Sequence, residues 1–233
     1  MKSIIKKISL TIYLGLTATF YIFIEFGLFS SVTTYLQYAL ICCNFAFGIL
    51  ALVLDFKKEK IFITVGLLFT LLADSGLVMY LYPNYQLVGM CFFSITQIAY
   101  FLYIFYTCKD PKVNAINVIA RLAACTIAII VTIIVSNNAL VVVSAFYFIN
   151  LICNIVFAFI SFKNNKLFAI GLALFIFCDI YVGLGTGADM GIFTAVEGTF
   201  AYNFFFYPSI NMAWLFYIPS QALITLSLID SLD

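Results

Sequence analysis

IFITVGLLFTLLADSGLVMYL, the stretch at residues 61–81, is long and apolar enough to cross a bilayer, yet it contains the acidic residue Asp74. A second such stretch, Leu167–Gly185, contains Asp179, and in both stretches the aspartate ends a Gly-Leu-x6-Asp pattern. A charge at the centre of a membrane helix costs about 2.5–3.5 kcal/mol on insertion scales. Both aspartates are therefore expected to face a protein interior or a watery cavity, and they are the first candidates for a functional site.

The composition indicates that the chain lies in a membrane. Apolar residues make up 65% and charged residues 9% of its 233 residues, and the mean hydropathy is +1.16. Continuous apolar runs of about 18 residues or more are typical of membrane-spanning helices. The sequence therefore predicts an all-α, polytopic membrane bundle, in the plasma membrane if the chain is bacterial. It has no basic tract of the kind that binds nucleic acid.

Eight apolar segments of about twenty residues are predicted to span the membrane. Lysines occur at the N-terminus and in the connections after the second, fourth and sixth segments, whereas the opposite connections hold no Lys or Arg. The positive-inside rule then places both termini in the cytoplasm. Arg121, near the start of the fifth segment, is expected to snorkel to the same surface. The segments are Ile8–Ile24, Thr33–Leu54, Ile61–Leu81, Leu87–Tyr106, Ala115–Val135, Ala139–Phe162, Leu167–Gly185 and Ile210–Leu228.

Weak internal similarity links the two halves of the chain. The Gly-Leu-x6-Asp pattern occurs in the third and seventh segments, and a Cys-Asn pair occurs in the second and sixth at nearly the same spacing. Because four segments separate the matching positions, the halves would share one orientation. A parallel four-plus-four repeat within a single domain, with halves 1–110 and 111–233, is one interpretation. Chance matching between apolar helices is the other.

Polar side chains on other segments are predicted to lie at a depth similar to that of the aspartates. Each polar stripe repeats every three or four residues, so its members share one face of a helix. Such stripes include Gly66, Thr70 and Asp74, Tyr147, Asn150 and Asn154, and Tyr217 and Gln221. Several such stripes predict an interior polar chamber, with Asp74 and Asp179 as its catalytic residues. Any single Asn, Gln or Tyr has a plainer interpretation, because these residues often only hydrogen-bond a neighbouring membrane helix. The residues predicted to contact a substrate are Gln97, Tyr100, Asn150, Asn154, Tyr217 and Gln221.

The residue types restrict the chemistry of this chamber. The chain has no histidine, and its seven cysteines form no Cys-x-x-Cys motif, so the usual zinc ligands are missing and no metal or other cofactor is expected. Two carboxyl groups in one pocket of low dielectric constant cannot easily both ionise, and we expect the pair to share a proton. Such a pair supplies an acid and a base side by side.

Four of the segments contain short motifs that can be compared with those of known families. They are Leu72-Ala73-Asp74, Phe92-Phe93-Ser94-Ile95-Thr96-Gln97-Ile98-Ala99-Tyr100, Gly171 through Phe177-Cys178-Asp179, and Tyr217-Ile218-Pro219-Ser220-Gln221. In these motifs, and in the number and order of its spans, most of the chain resembles the YhhN-like lysoplasmalogenase family. It departs from the family at Gln97, where a His is expected, at Ala73, where a Gly is expected, and at Cys178, where a Ser is expected.

The resemblance implies a hydrolase that acts on the vinyl ether bond of lysoplasmalogens, a class of lysophospholipid, and releases a fatty aldehyde and a glycerophospho head-group. Asp74 and Asp179 would divide the acid and base roles, with no assignment of which is which. A proton-coupled transporter is an alternative, because transporters also bury aspartates and duplicate their halves. A lipid-binding membrane protein with the same fold and no catalysis is another. An intramembrane aspartyl protease fits less well, because its Gly-x-Gly-Asp motif is missing.

One long connection is predicted, from Thr186 to Ser209. Its aromatic residues favour an anchor at the membrane surface over a lid that covers the chamber.

Overall fold

A computed structural model describes residues 2–27, 32–136, 138–162, 166–189, 199 and 211–229. Within these ranges the chain forms eight α-helices and no β-strand. Seven of the helices are long and apolar enough to cross a membrane. The predicted all-α, polytopic membrane bundle is therefore confirmed, whereas the side of the membrane on which the termini lie stays a prediction. The helices are α1 (Lys2–Glu25), α2 (Thr33–Leu54), α3 (Lys60–Leu77), α4 (Tyr85–Thr107), α5 (Pro111–Ser136), α6 (Ala139–Ser161), α7 (Leu167–Asp189) and α8 (Met212–Leu226).

Helix α3 ends earlier than its apolar pattern predicts. The predicted span reaches Leu81, but the helix stops at Leu77 because Tyr80 adopts a left-handed backbone conformation with φ of 56°. The Leu81 amide then donates a hydrogen bond back to the Ser75 carbonyl over 3.2 Å, which closes the last turn. This early end brings Asp74 into the last turn of α3.

Helices α7 and α8 also differ from the predicted spans. Helix α7 continues to Asp189, so Thr186 is helical and not the first residue of a loop. The predicted anchor or lid falls mostly on residues 190–198 and 200–210, outside the described residues. Helix α8 has 15 residues and contains Pro219. At about 1.5 Å per residue it is about 22 Å long, shorter than the roughly 30 Å of a bilayer core.

The bundle is assembled from helical hairpins that pack across the two halves of the chain. Helix α3 packs on α4, and α7 packs on α8; between the halves, α4 contacts α6 and α2 contacts α8. Two glycines allow close approach at matching places: Gly66 of α3 lies under the ring of Tyr100 of α4, and Gly171 of α7 lies against Ile224 of α8. The four-plus-four repeat itself stays a prediction.

Candidate active site

Asp74 lies on the buried face of α3 and is held by a tyrosine of α8. The hydroxyl of Tyr217 donates a hydrogen bond to the Asp74 carboxyl group. Only 4% of Asp74 and 5% of Tyr217 is exposed. Gly66 and Thr70 are buried on the same face of α3, as the helical spacing predicts. Two residues far apart in sequence, both predicted for the site, therefore meet inside the bundle.

Asp179 has an equivalent arrangement on α7. Its carboxyl group accepts a hydrogen bond of 2.5 Å from the hydroxyl of Tyr147 on α6. Tyr147 is buried, whereas Asp179 is only partly buried. Sequence reasoning placed Tyr147 in a polar stripe but not among the site residues. The signal that identifies it is its position one turn before Asn150 on the same face of α6.

The two aspartate–tyrosine pairs are neighbours. The carboxyl groups lie close enough to interact electrostatically, and the Cys178 thiol lies near both of them. The ring of Phe175 packs between the two tyrosines, with centroid distances of 5.4 Å to Tyr217 and 6.5 Å to Tyr147. The structure thus brings together both residues predicted to be catalytic. We refer to Asp74, Asp179, Tyr147 and Tyr217 as the aspartate site.

The aspartates are neighbours although they occupy different positions in their helices. The sequence places each of them six or seven residues from the outer end of its span. In the structure Asp74 lies in the last turn of α3, whereas Asp179 lies in the middle of α7, which extends further. The number of residues between an aspartate and the end of its helix is therefore a poor measure of depth here.

Comparison with known proteins identifies the family. A family model described as the YhhN family matches residues 32–228. The chain belongs to the YhhN family. The matched range contains the whole aspartate site, and it confirms the resemblance seen in the sequence motifs. No curated protein and no solved structure matches the chain.

Arg121 of this YhhN family member does not snorkel, so that prediction is wrong. The side chain is only 7% exposed, and its guanidinium lies over the ring of Phe101 at 4.4 Å. It donates hydrogen bonds to the side-chain oxygens of Asn117 at 3.2 Å, Asn150 at 2.7 Å and Asn154 at 2.9 Å. These neutral acceptors bind both terminal nitrogens of the guanidinium within the bundle, so the side chain does not extend to the membrane surface.

Three of the predicted substrate contacts belong to this arginine and not to the aspartates. Asn150 and Asn154 bind the guanidinium, and the Asn154 amide donates to the Gln97 side-chain oxygen over 2.9 Å. Tyr147, Asn150 and Asn154 do lie on one face of α6, but a stripe of several turns extends over about 10 Å. It therefore serves more than one cluster. The arginine cluster, as we define it, consists of Arg121, Asn117, Asn150, Asn154 and Gln97.

Tyr100 and Gln221 are buried near the aspartate site without a hydrogen bond to either aspartate among the described residues. Tyr100 lies against Gly66 and Thr70. Gln221 lies one turn after Tyr217 on α8, and neither of its side-chain polar atoms has a partner in the described part of the chain. The predicted single chamber is thus a set of separate polar clusters.

An open cleft lies away from these clusters in the YhhN fold. It has a volume of about 490 Å³ and is found between the first turns of α4 and α6. Asn84, Tyr85, Gln86 and Asn138 contribute polar groups to its wall. The cleft is therefore distinct from the aspartate site, whose residues do not line it.

Proposed function

We propose that this YhhN family member is an integral membrane hydrolase of the lysoplasmalogenase kind, which cleaves the vinyl ether bond of a lysophospholipid taken from the bilayer. One observation carries the proposal: two neighbouring carboxyl groups in a membrane bundle are each bound by a tyrosine hydroxyl, and within the described residues neither forms an ion pair. Family membership supports the class of reaction. For a bacterial chain, the plasma membrane is the proposed location.

The proposed reaction uses the aspartate site as an acid and a base. A protonated carboxyl group donates its proton to the β-carbon of the vinyl ether, and the double bond becomes an oxocarbenium ion. The second carboxyl group, as a carboxylate, takes a proton from water while the water oxygen bonds to the cationic carbon. Paired carboxyl groups stabilise a related cation in glycoside hydrolysis.

The hemiacetal formed in this way then breaks down. Its hydroxyl returns a proton to the first carboxylate as the bond between carbon and the glycerol oxygen breaks. The second carboxyl group gives its proton to the departing glycerol oxygen. One water is consumed, a fatty aldehyde and a glycerophospho head-group are released, and both carboxyl groups return to their initial states. The reaction needs no further reactant.

We assign the acid role to Asp74 and the base role to Asp179. Asp74 is the more enclosed of the two, and a charge without a cationic partner is costly in such a place. Tyr217 holds one oxygen of Asp74, which leaves the other oxygen to carry the proton. Asp179 is the less enclosed of the two, and we therefore give it the role that requires contact with water. Gln221, with its free polar atoms, is suited to bind a glycerol hydroxyl.

The test is aldehyde release by purified protein in detergent from a synthetic lysoplasmalogen. We expect Asp74→Asn and Asp179→Asn each to lower turnover by about 10²–10⁴-fold, the usual effect of removing a general acid or base. A saturated ether lipid of the same length is the substrate control, because it has no double bond to protonate. Absence of aldehyde from the parent protein contradicts the enzymatic proposal, and full turnover in both variants contradicts the site.

A further inference from the structure

The arginine cluster buries a positive charge without an anion. Within the described part of the chain, Arg121 forms no ion pair, and the acceptors of its hydrogen bonds are oxygens of Asn117, Asn150 and Asn154. An ionisable residue inside a membrane bundle usually faces a counter-charge or marks a binding site. Neutral amides satisfy hydrogen bonds, but they leave the net charge uncompensated.

The unmatched polar atoms of the cluster are all donors. Arg121 Nε, Asn117 Nδ2 and Gln97 Nε2 are buried and have no hydrogen-bond partner among the described residues. The side-chain oxygens of the cluster are all in use, since the amide oxygens of Asn117, Asn150 and Asn154 accept from the guanidinium and that of Gln97 accepts from Asn154. A buried donor without an acceptor is destabilising. A net positive cluster with spare donors is therefore suited to an anion rich in acceptor oxygens.

The cluster lies close to the aspartate site along two helices. On α6, Tyr147 precedes Asn150 and Asn154 by three and seven residues, which correspond to about 4.5 and 10 Å of helix. On α4, Phe93, whose ring is 5.7 Å from that of Tyr147, lies one turn before Gln97. In a lysophospholipid, the ether oxygen and the phosphate are attached to opposite ends of one glycerol. Their binding sites must therefore be separated by about this short distance.

We propose that the arginine cluster binds the phosphate group of a lysophospholipid whose ether bond lies at the aspartate site. The proposal rests on the proposed function for the position of that ether bond. Arginine suits phosphate because its planar group presents several donors in a fixed arrangement. On the outer side the cluster is covered by α5, which buries only Asn117, Arg121 and Cys125 within the bundle.

A structural role is the competing explanation, in which Arg121 only fastens α5 to α6. The variant Asn117→Asp separates the two roles. It keeps the oxygen that accepts from Arg121, removes the free Nδ2 donor and places a carboxylate beside the guanidinium. If Arg121 only fastens α5 to α6, this ion pair strengthens the contact between the two helices. If the cluster binds phosphate, the added negative charge weakens that binding. We therefore expect Asn117→Asp to retain or raise thermal stability while it weakens phosphate binding.

The experiment measures binding of two lipids to the purified full-length protein in neutral detergent. One is a saturated 1-alkyl lysophospholipid and the other is a 1-alkylglycerol with the same chain; neither can be hydrolysed by the proposed reaction. We expect the parent protein to prefer the phospholipid by about tenfold or more, as for a hydrogen bond to a charged group. Asn117→Asp and Arg121→Gln should lose this preference while they keep their affinity for the alkylglycerol.

Cys125→Ala is the matched control, because Cys125 lies on the same face of α5, contacts Asn150 and carries no charge. It should keep the preference for phospholipid. The proposal is overturned if the parent shows no preference, if Asn117→Asp keeps it, or if Cys125→Ala loses it equally. Competition by inorganic phosphate at the concentration of the lipid would assign the cluster to free phosphate and overturn the lipid assignment. Because the lipids are not cleaved, these results are independent of aldehyde release.

Discussion

The aspartate site and the arginine cluster lie about one helical turn apart along α6, yet they satisfy their charged groups in different ways. The carboxyl groups are bound by the hydroxyls of Tyr217 and Tyr147, and Arg121 is bound by asparagine side chains. No ion pair joins the two regions within the described residues. An aspartate beside a guanidinium is held in its charged form. Neutral partners therefore leave an aspartate free to act as a proton donor and leave the arginine free to bind an anion.

The largest expected effect tests whether the aspartate site works as one unit. Asp74→Asn combined with Asp179→Asn should lower aldehyde release about as much as either change alone, because the effects of groups that act together are strongly non-additive. Turnover of the double variant and both single variants is measured with the same lysoplasmalogen. If the losses multiply, the two carboxyl groups act independently and the assigned division of roles is wrong.

Next in size is the loss of a tyrosine hydroxyl. Tyr217→Phe and Tyr147→Phe each remove one hydrogen bond to a carboxyl group and keep the ring that packs on Phe175. In the proposed reaction Asp179 starts as a carboxylate and Asp74 becomes one when it gives up its proton. A hydrogen bond to a charged group contributes about 1.5–3 kcal/mol, so turnover should fall by about 10–100-fold. Affinity for the saturated 1-alkyl lysophospholipid should stay unchanged, because the arginine cluster is intact.

Tyr13→Phe is the control for these two variants. It removes a buried hydroxyl that donates to Asn44 over 2.7 Å, away from both regions. If it lowers turnover as much as Tyr217→Phe does, the effect comes from a general loosening of the bundle and not from the aspartate site.

A smaller effect is expected from a change in packing two turns before Asp74, on the same face of α3. Gly66→Ala forces the ring of Tyr100 to move, because the added carbon overlaps that ring. Overpacking of this kind costs about 1–3 kcal/mol of stability. The temperature of thermal unfolding and the turnover should both decrease, while the preference for phospholipid over alkylglycerol remains. Gly183→Ala is the matched control, since nothing lies within 4 Å of its added carbon; equal effects of the two would show that Tyr100 is not the cause.

The sequence predicts the class of fold and the inward position of the aspartates for a physical reason, and their catalytic role stays a prediction. Long apolar runs have few alternatives to membrane helices, and an aspartate inside such a run must face the interior. The hydrogen-bond partners of the aspartates are harder to predict. Tyr147 and Tyr217 are both in polar stripes, but periodicity gives a direction around a helix and not the height at which a neighbouring helix ends. For Arg121 the sequence predicts the surface because it does not show that Asn150 and Asn154, two of the three asparagines that bind the guanidinium, come from another helix.

The smallest expected effect concerns Gln97, which stands where the YhhN-like lysoplasmalogenase family is expected to have a histidine. In this chain the residue lies in the arginine cluster, where its side-chain oxygen accepts from Asn154 and its Nε2 is free. It forms no hydrogen bond with Asp74 or Asp179 among the described residues. Gln97→His should therefore change turnover by less than about threefold, because a residue outside hydrogen-bond reach of the reacting groups contributes no general acid or base catalysis.

Turnover and lipid preference of Gln97→His are to be measured together. The imidazole replaces an amide whose oxygen accepts from Asn154 and whose Nε2 is one of the spare donors of the arginine cluster, so the change should appear first in the preference for phospholipid. A large rise in turnover would mean that the histidine acts in the chemistry and that this chain has lost most of its activity. It would also mean that the boundary between the two regions is drawn in the wrong place, since a residue of the arginine cluster would then belong to the aspartate site.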